Sequence, residues 1–166
     1  MSMYFDMGDE TLWNPSNGAG RLFLRQIEVF EGELRLPSGI GQGRHWGDPD
    51  TLEVDPAVYG DFVRGLVARH CRTEHAVILA LSEGFVATAV ALARRAGIGV
   101  EMPEPGAGQG QGQEQEQEQH QGQGQGQAGG GARWDVQVPG GPRGGQADVV
   151  AALEARVREM DRWMAR

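Results

Sequence analysis

Glu83 lies in the middle of the most apolar stretch of the chain, residues 76–93. A carboxylate that is buried must be paired with a cation or protonated, so Glu83 is a candidate for an acid of raised pKa or for a ligand contact. Two structural alternatives exist: an ion pair with Arg21, Arg25 or Arg64, or emergence at the surface on a narrow polar stripe. We favour the structural alternatives and keep Glu83 as a candidate binding residue.

Three residues that could bind a metal crowd together at His70, Cys71 and His75. On one continuous helix Cys71 and His75 would share a face. The Arg72-Thr73 junction is expected to break that helix, and no other ligand cluster exists to complete a four-coordinate zinc shell. The sequence therefore predicts no metal site and no cofactor. His70 fits the end of a helix, where a partly positive imidazole suits the helix dipole.

The nucleophile candidates, Ser82 and Cys71, lack supporting residues. Ser82 lies in Leu-Ser-Glu-Gly-Phe rather than in a Gly-x-Ser-x-Gly elbow. Nothing in the sequence places an oriented base beside Cys71. The glycine-rich run that begins at Gly39 lacks the Gly-Lys-Ser/Thr ending of a phosphate loop. These features assign no catalytic residue and favour a protein that is not an enzyme.

The segment around Trp13 combines an aromatic anchor with turn and cap formers. Trp13, Asn14 and Asn17 could form a recognition spot, since tryptophan anchors many interfaces. The alternative is a hydrophobic staple, in which Trp13 folds over the first turn of the following helix. We favour the staple and retain the three residues, with Glu83, as candidate binding residues.

The charge balance limits the classes of partner. The chain has 166 residues, with 15 arginines, no lysine and 23 acidic residues, for a net charge of −8. Such an acidic excess argues against nucleic-acid binding, which needs clustered positive charge. It favours association with a basic protein partner. The single cysteine excludes an internal disulfide bond.

Three helices are predicted from apolar spacing in the first hundred residues. The first is capped by Ser16 or Asn17, the second begins at Asp55-Pro56, and the third runs over residues 73–96, ended by glycines. The third is apolar nearly all round, which is typical of a central helix. The seam of the first helix consists of Phe23, Ile27, Phe30 and Leu34.

Strand signals are short. Residues 3–5, 51–54 and 98–102 could each add a small β element, and residues 37–50 are expected to form a loop. The sequence therefore predicts a mainly α fold: a compact three-helix domain over residues 1–102, with minor β strands at most.

Beyond the domain, residues 103–148 are a Gly/Gln/Glu low-complexity segment, predicted to be a disordered linker because it holds too few apolar residues to offset the entropy of ordering. Residues 149–166 are predicted to form a detached amphipathic helix. Its alternatives are docking on the core, self-association, or presentation to the groove of a partner. The seam of this helix is Val149, Leu153, Val157, Met160 and Met164.

The first residues show neither a basic region nor an apolar region of a signal peptide, and Glu83 interrupts the only long apolar stretch. We therefore expect a cytoplasmic protein with no membrane segment.

Two stretches carry a resemblance to known sequences. The run from Tyr4 to Asn17, together with Leu-Ser-Glu-Gly-Phe-Val-Ala-Thr from Leu81, resembles an uncharacterised domain family of unknown function from high-GC bacteria. The resemblance covers about residues 3–100 and implies no catalytic residue and no ligand.

The charge balance and the candidate residues leave two hypotheses for the function: an acidic protein-binding module of immunity or regulatory type, or a small enzyme or ligand-binding domain that uses Glu83 with His70 or His75.

Overall fold

A computed structural model gives the fold of residues 2–42, 50–103 and 145–165. Four helices and four short strands are present in these ranges, so the predicted mainly α class holds, with a small sheet added. In chain order the elements are β1 (Tyr4–Met7), β2 (Glu10–Trp13), α1 (Asn17–Leu34), β3 (Ile40–Gln42), β4 (Thr51–Val54), α2 (Pro56–Arg72), α3 (Ala76–Arg95) and α4 (Gln146–Met164).

The starts of α1 and α2 are set by side-chain caps that the sequence predicts. Ser16 Oγ accepts a hydrogen bond from the Ala19 N–H at 3.4 Å. Asp55 Oδ1 accepts from the N–H groups of Ala57 and Val58 at 3.0 and 3.2 Å, and Pro56 occupies the first helical position. Each cap satisfies backbone donors that the first turn of a helix leaves without a partner.

The start of α3 was predicted three residues too early. Thr73 adopts an extended backbone conformation and closes α2, because its N–H donates to His70 O at 3.2 Å. The helix begins only at Ala76, and His75 provides no side-chain cap. Thr73 therefore ends one helix rather than starting the next.

The four strands form one sheet in the order β2-β1-β4-β3. β1 pairs antiparallel with β2 and parallel with β4, and β3 pairs antiparallel with β4. The predicted element at residues 51–54 is β4, and residues 3–5 overlap β1. Residues 98–102 hold no strand, so that prediction was wrong: Ile98 N–H bonds back to Ala93 O at 2.9 Å and closes α3 instead.

α4 is part of the folded core, so the prediction of a detached helix was wrong. Val150, Leu153 and Val157 are buried, and α4 packs mainly against α3. At the far end, Arg95 Nε lies 3.2 Å from Asp161 Oδ1. Of the three alternatives for this helix, the structure shows docking on the core. The predicted linker lies almost wholly outside the described residues.

The described residues include one helix, α3, that is long and apolar enough to cross a membrane. Half of its apolar window is buried inside the protein, so this is weak evidence for a membrane span.

Candidate functional site

The two halves of α3 differ in exposure. Residues 85–87 and 89–93 are buried between the neighbouring elements, as expected for a central helix. The first half is apolar but open to solvent: Val77 is 51% exposed, Ile78 38% and Leu81 74%. An apolar helix half that is exposed in this way marks a candidate interface.

α1 presents a matching apolar stripe. Leu22 is 61% exposed and Val29 is 58% exposed. The two residues are seven positions apart, so they lie on one face of the helix, two turns from each other. This face flanks the buried seam that Phe23 and Ile27 form.

A groove with a volume of about 210 Å³ runs between α1 and α3. Two of its aromatic members, Phe23 and Phe85, are buried, whereas Leu22 projects into solvent. Such a shape, apolar at the base and open above, suits a helix laid into it. The groove is lined by Trp13, Ala19, Leu22, Phe23, Gln26, Gly84, Phe85 and Thr88.

An aromatic cluster holds the groove in shape. Phe85 of α3 stacks on Phe30 at 4.9 Å between ring centroids and lies 5.4 Å from Phe23. Trp13 stacks on Phe5 at 5.2 Å and meets Phe23 edge-on at 5.4 Å. Because these rings come from the sheet and from both helices, they join the three elements at the base of the groove.

Gly84 keeps the groove open on the α3 side. A Cβ built at this position meets no atom within 4 Å. Glycine in an exposed helix interior destabilises the helix by about 1 kcal/mol relative to alanine, so nothing in the described fold favours it there. The space beside Gly84 is therefore open, and no neighbouring side chain packs against this position.

Trp13 lies in β2 and lines the groove, half-buried. It packs on Phe23 in the second turn of α1, so it is both a packing residue and part of an open surface. Asn14 is exposed, and Asn17 is half-buried with an Oδ1 atom that has no hydrogen-bond partner in the described part of the chain. Neither asparagine lines the groove.

Glu83 is half-buried on α3 and forms no ion pair within 4.0 Å with a described residue. Of the two structural alternatives, the structure therefore matches emergence at the surface rather than pairing with Arg21, Arg25 or Arg64. Because Glu83 lies one position before Gly84, about 100° around the helix, it does not line the groove.

His70 and Ser82 form a buried polar pair between α2 and α3. His70 Nδ1 and Ser82 Oγ are 3.1 Å apart, and Ser82 Oγ donates to Ile78 O at 2.7 Å. With the Ser82 proton directed to Ile78 O, the arrangement that satisfies both groups has His70 in its Nδ1–H tautomer, which donates to Ser82 Oγ. A serine that donates to a backbone carbonyl and accepts from histidine is the reverse of an activated nucleophile.

Burial lowers the pKa of His70, with the Glu83 charge raising it in part and Arg69 lowering it further. The imidazole is therefore neutral near pH 7, contrary to the partly positive side chain that the sequence suggested at this helix end. Burial also raises the pKa of the Cys71 thiol, which makes the thiolate scarcer. No group of three metal-binding side chains occurs in the ranges the structure describes.

A second, larger cleft of about 660 Å³ lies between α2 and residues 99–103. It includes Arg64, Val67 and Met102. Its other wall is formed by Gly99, Glu101, Met102 and Pro103, which follow α3.

The residues that line the groove were largely missed from the sequence. A signal existed for Leu22 and for the apolar faces that continue the groove: Leu22 and Val29 are seven residues apart, Val77 and Leu81 are four apart, and all four lie outside the predicted seams. Of the lining residues, Trp13 was a candidate binding residue and Phe23 was predicted only as part of the apolar seam of the first helix.

Comparison with known proteins gives one match. A protein-family model described as a family of unknown function (DUF6086) matches residues 1–166, which confirms the resemblance to an uncharacterised family. Neither the curated proteins nor the solved structures contain a match. The match extends beyond residues 3–100 and includes the terminal helix.

Proposed function

The chain belongs to a family of unknown function, DUF6086, and from that premise we propose that it is a non-enzymatic protein-binding module whose α1–α3 groove takes an amphipathic helix of another protein. The observation that carries the proposal is the exposure of aliphatic side chains on both helices: Leu22 lines the groove, and by helical spacing Val29 on α1 and Leu81 on α3 continue its two walls. These residues flank a base of buried aromatic rings.

The dimensions of the groove suit a short helix. From Ala19 to Val29 the α1 wall rises by about 15 Å, which is close to three helical turns. An amphipathic helix of that length places side chains at positions i, i+3, i+4 and i+7 against the groove. The gap at Gly84 leaves room for one of these side chains.

The free energy available is moderate. The exposed fractions of Leu22, Val29, Val77 and Leu81 amount to more than two fully exposed aliphatic side chains. Burying them would contribute about 4–7 kcal/mol, and the apolar face of the partner adds a comparable amount. Since association costs about 4–15 kcal/mol, we expect a dissociation constant in the micromolar range.

The enzyme alternative draws less support from the described residues. His70 is committed to Ser82, and the groove lining includes no acidic residue or histidine. An acid–base mechanism needs such groups within hydrogen-bond reach of a substrate.

The proposal is tested with a synthetic helical peptide of about 14 residues, with leucines at i, i+3, i+4 and i+7 and glutamines elsewhere. It is titrated into the ¹⁵N-labelled full-length chain while the indole N–H resonances are followed. The chain has four tryptophans, and the Trp13 resonance is assigned as the one lost in Trp13→Phe. We expect the Trp13 resonance to shift with a saturable, micromolar dependence on peptide concentration.

Two matched variants locate the binding. Gly84→Gln fills the groove, and Gly32→Gln makes the same change on α1 at a position that does not line it and where a Cβ also meets nothing within 4 Å. Gly84→Gln should weaken binding by about tenfold or more, corresponding to about 1.4 kcal/mol, while Gly32→Gln should leave it unchanged. If the peptide fails to shift the Trp13 resonance at millimolar concentration, or if both variants bind alike, the proposal is wrong.

A further inference from the structure

Resting on the proposed function, we infer that the docked helix carries acidic side chains along one flank, which pair with Arg21 and Arg25 of α1. The inference concerns the chemical class of the partner: an amphipathic helix that is apolar toward the groove and acidic toward α1. The net charge predicts a basic partner, whereas the charges beside the groove predict an acidic one.

Arg25 borders the apolar wall of α1. It comes three residues after Leu22 and four before Val29, so on a helix it is the surface neighbour of both. Arg21 comes one turn before Arg25 and extends the same edge. Both are exposed, and neither forms a hydrogen bond or ion pair with any residue that the structure describes.

Several other arginines are paired within the chain, whereas Arg21 and Arg25 combine the lack of a pair with a position beside the exposed apolar face of α1. The pairs are Arg64 with Asp61, Arg69 with Glu33, Arg95 with Asp161, and Arg156 with Glu159. A guanidinium that is unpaired beside an exposed apolar surface is available for a carboxylate of a partner, to which it can donate two parallel hydrogen bonds.

The neighbouring acids do not cancel this charge. Glu28 follows Arg25 by three residues and is its surface neighbour, but at about 100° per residue it lies about 60° further around α1 from Leu22 and Val29 than Arg25 does. Glu33 is held by Arg69. Glu10 lies three positions before Trp13 on β2 and so projects to the opposite face of the sheet. Glu83 emerges on another face of α3. The edge of the groove along α1 is therefore locally positive.

Local charge and net charge act over different ranges. The net charge of −8 influences approach from a distance, and salt screens it beyond a Debye length of about 8 Å in physiological buffer. The two arginines act at contact distance, where a partner side chain displaces water. They determine which charge the docked helix can place beside Leu22 and Val29.

A second copy of the chain is a poorer occupant. A two-fold axis between Leu22 and Val29 would place two α1 helices antiparallel and bring Arg25 of one copy near Arg25 of the other. Like charges in such positions repel. A helix from another protein with Asp or Glu at that place meets the same surface with attraction.

The test compares three peptides that share the leucine pattern and differ in the flank beside α1, which carries Glu, Gln or Lys. They are titrated into the full-length chain and the Trp13 indole resonance is followed. We expect the Glu peptide to bind about three- to tenfold more tightly than the Gln peptide, and the Lys peptide to bind more weakly than either. The preference should shrink as salt rises from 50 to about 500 mM.

A pair of charge-reversal variants separates local from net charge. Arg21→Glu/Arg25→Glu should invert the order and favour the Lys peptide. Arg94→Glu/Arg162→Glu changes two exposed arginines outside the groove lining and gives the same net charge. This control should retain the preference of the wild type for the Glu peptide.

The outcomes are distinguishable from those for the proposed function. Binding of all three peptides with equal affinity, preference of the wild type for the Lys peptide, or an equal change in both double variants would overturn the acidic-flank inference and leave the groove proposal standing. If none of the peptides binds, both fail. Sedimentation of the full chain as a dimer that Gly84→Gln dissociates would assign the groove to a second copy and overturn both.

Discussion

Replacing Leu153 with alanine tests whether α4 is part of the folding unit. Leu153 is fully buried against the core, and α4 packs chiefly on α3. Truncation of a buried leucine to alanine costs about 2–5 kcal/mol, from lost burial plus the cavity left behind. A domain of this size has a total stability of about 5–15 kcal/mol, so Leu153→Ala should remove a large share of it.

The matched control is Leu81→Ala, the same substitution on α3. Because Leu81 is 74% exposed, only about a quarter of the side chain is buried. Its truncation should cost roughly 0.5 kcal/mol, and the higher helix propensity of alanine offsets part of this. The control also tests the exposure of Leu81, on which the groove depends.

The assay is urea denaturation of both variants and the wild type, followed by circular dichroism and analysed for midpoint and slope. The reasoning is refuted if Leu153→Ala costs less than about 1 kcal/mol, because a fully buried leucine cannot be truncated so cheaply. A loss above about 2 kcal/mol for Leu81→Ala would refute the solvent-facing position of that residue.

Two further predictions follow from backbone and side-chain geometry. Gly39→Ala should destabilise the fold by more than about 1 kcal/mol, because φ is +72° and a Cβ would lie 2.8 Å from Val58 Cβ, whereas Gly41→Ala, where a Cβ meets nothing within 4 Å, should be nearly neutral by thermal denaturation. The free energy of unfolding should fall as pH drops below the ordinary histidine pKa of 6.5, because the pKa of buried His70 is lowered in the folded state and the unfolded chain takes up the proton first. His70→Asn keeps a neutral donor toward Ser82, and this variant should lose less unfolding free energy than the wild type between about pH 7.5 and 5. An unchanged dependence of the unfolding free energy on pH would show that other groups cause the decline.

The sequence predicts the helices well where local chemistry decides. Ser16 and Asp55 cap α1 and α2 because their side-chain oxygens meet free backbone donors, which is a local property. The β1–β2 hairpin was missed, although Gly8-Asp9 between Met7 and Glu10 is a turn signal of the kind that joins two strands, and Gly8 has φ +64°. The strands on either side of this turn have only four residues each, which is too short for an alternation of apolar and polar residues to be recognised.

The position of α4 and the groove could not be predicted, for a different reason. The seam of α4 shows that Leu153 must be buried, but no local rule says which surface buries it. Phe85 and the apolar residues that follow it on α3 are buried, whereas Val77, Ile78 and Leu81 before it are exposed, although all belong to one apolar helix. Such differences depend on contacts between segments that are distant in the sequence. The apolar periodicity of a helix does not show which other segment covers it.

The most direct test of the central claim is NMR cross-saturation from the glutamine-flanked peptide to the deuterated, ¹⁵N-labelled full-length chain. With the peptide protons irradiated, the account predicts that signal losses concentrate on the Trp13 indole N–H and on backbone amides of residues 19–29 and 77–88, the two walls of the groove. Losses centred on α2 and residues 99–103, or spread evenly over the surface, would contradict it.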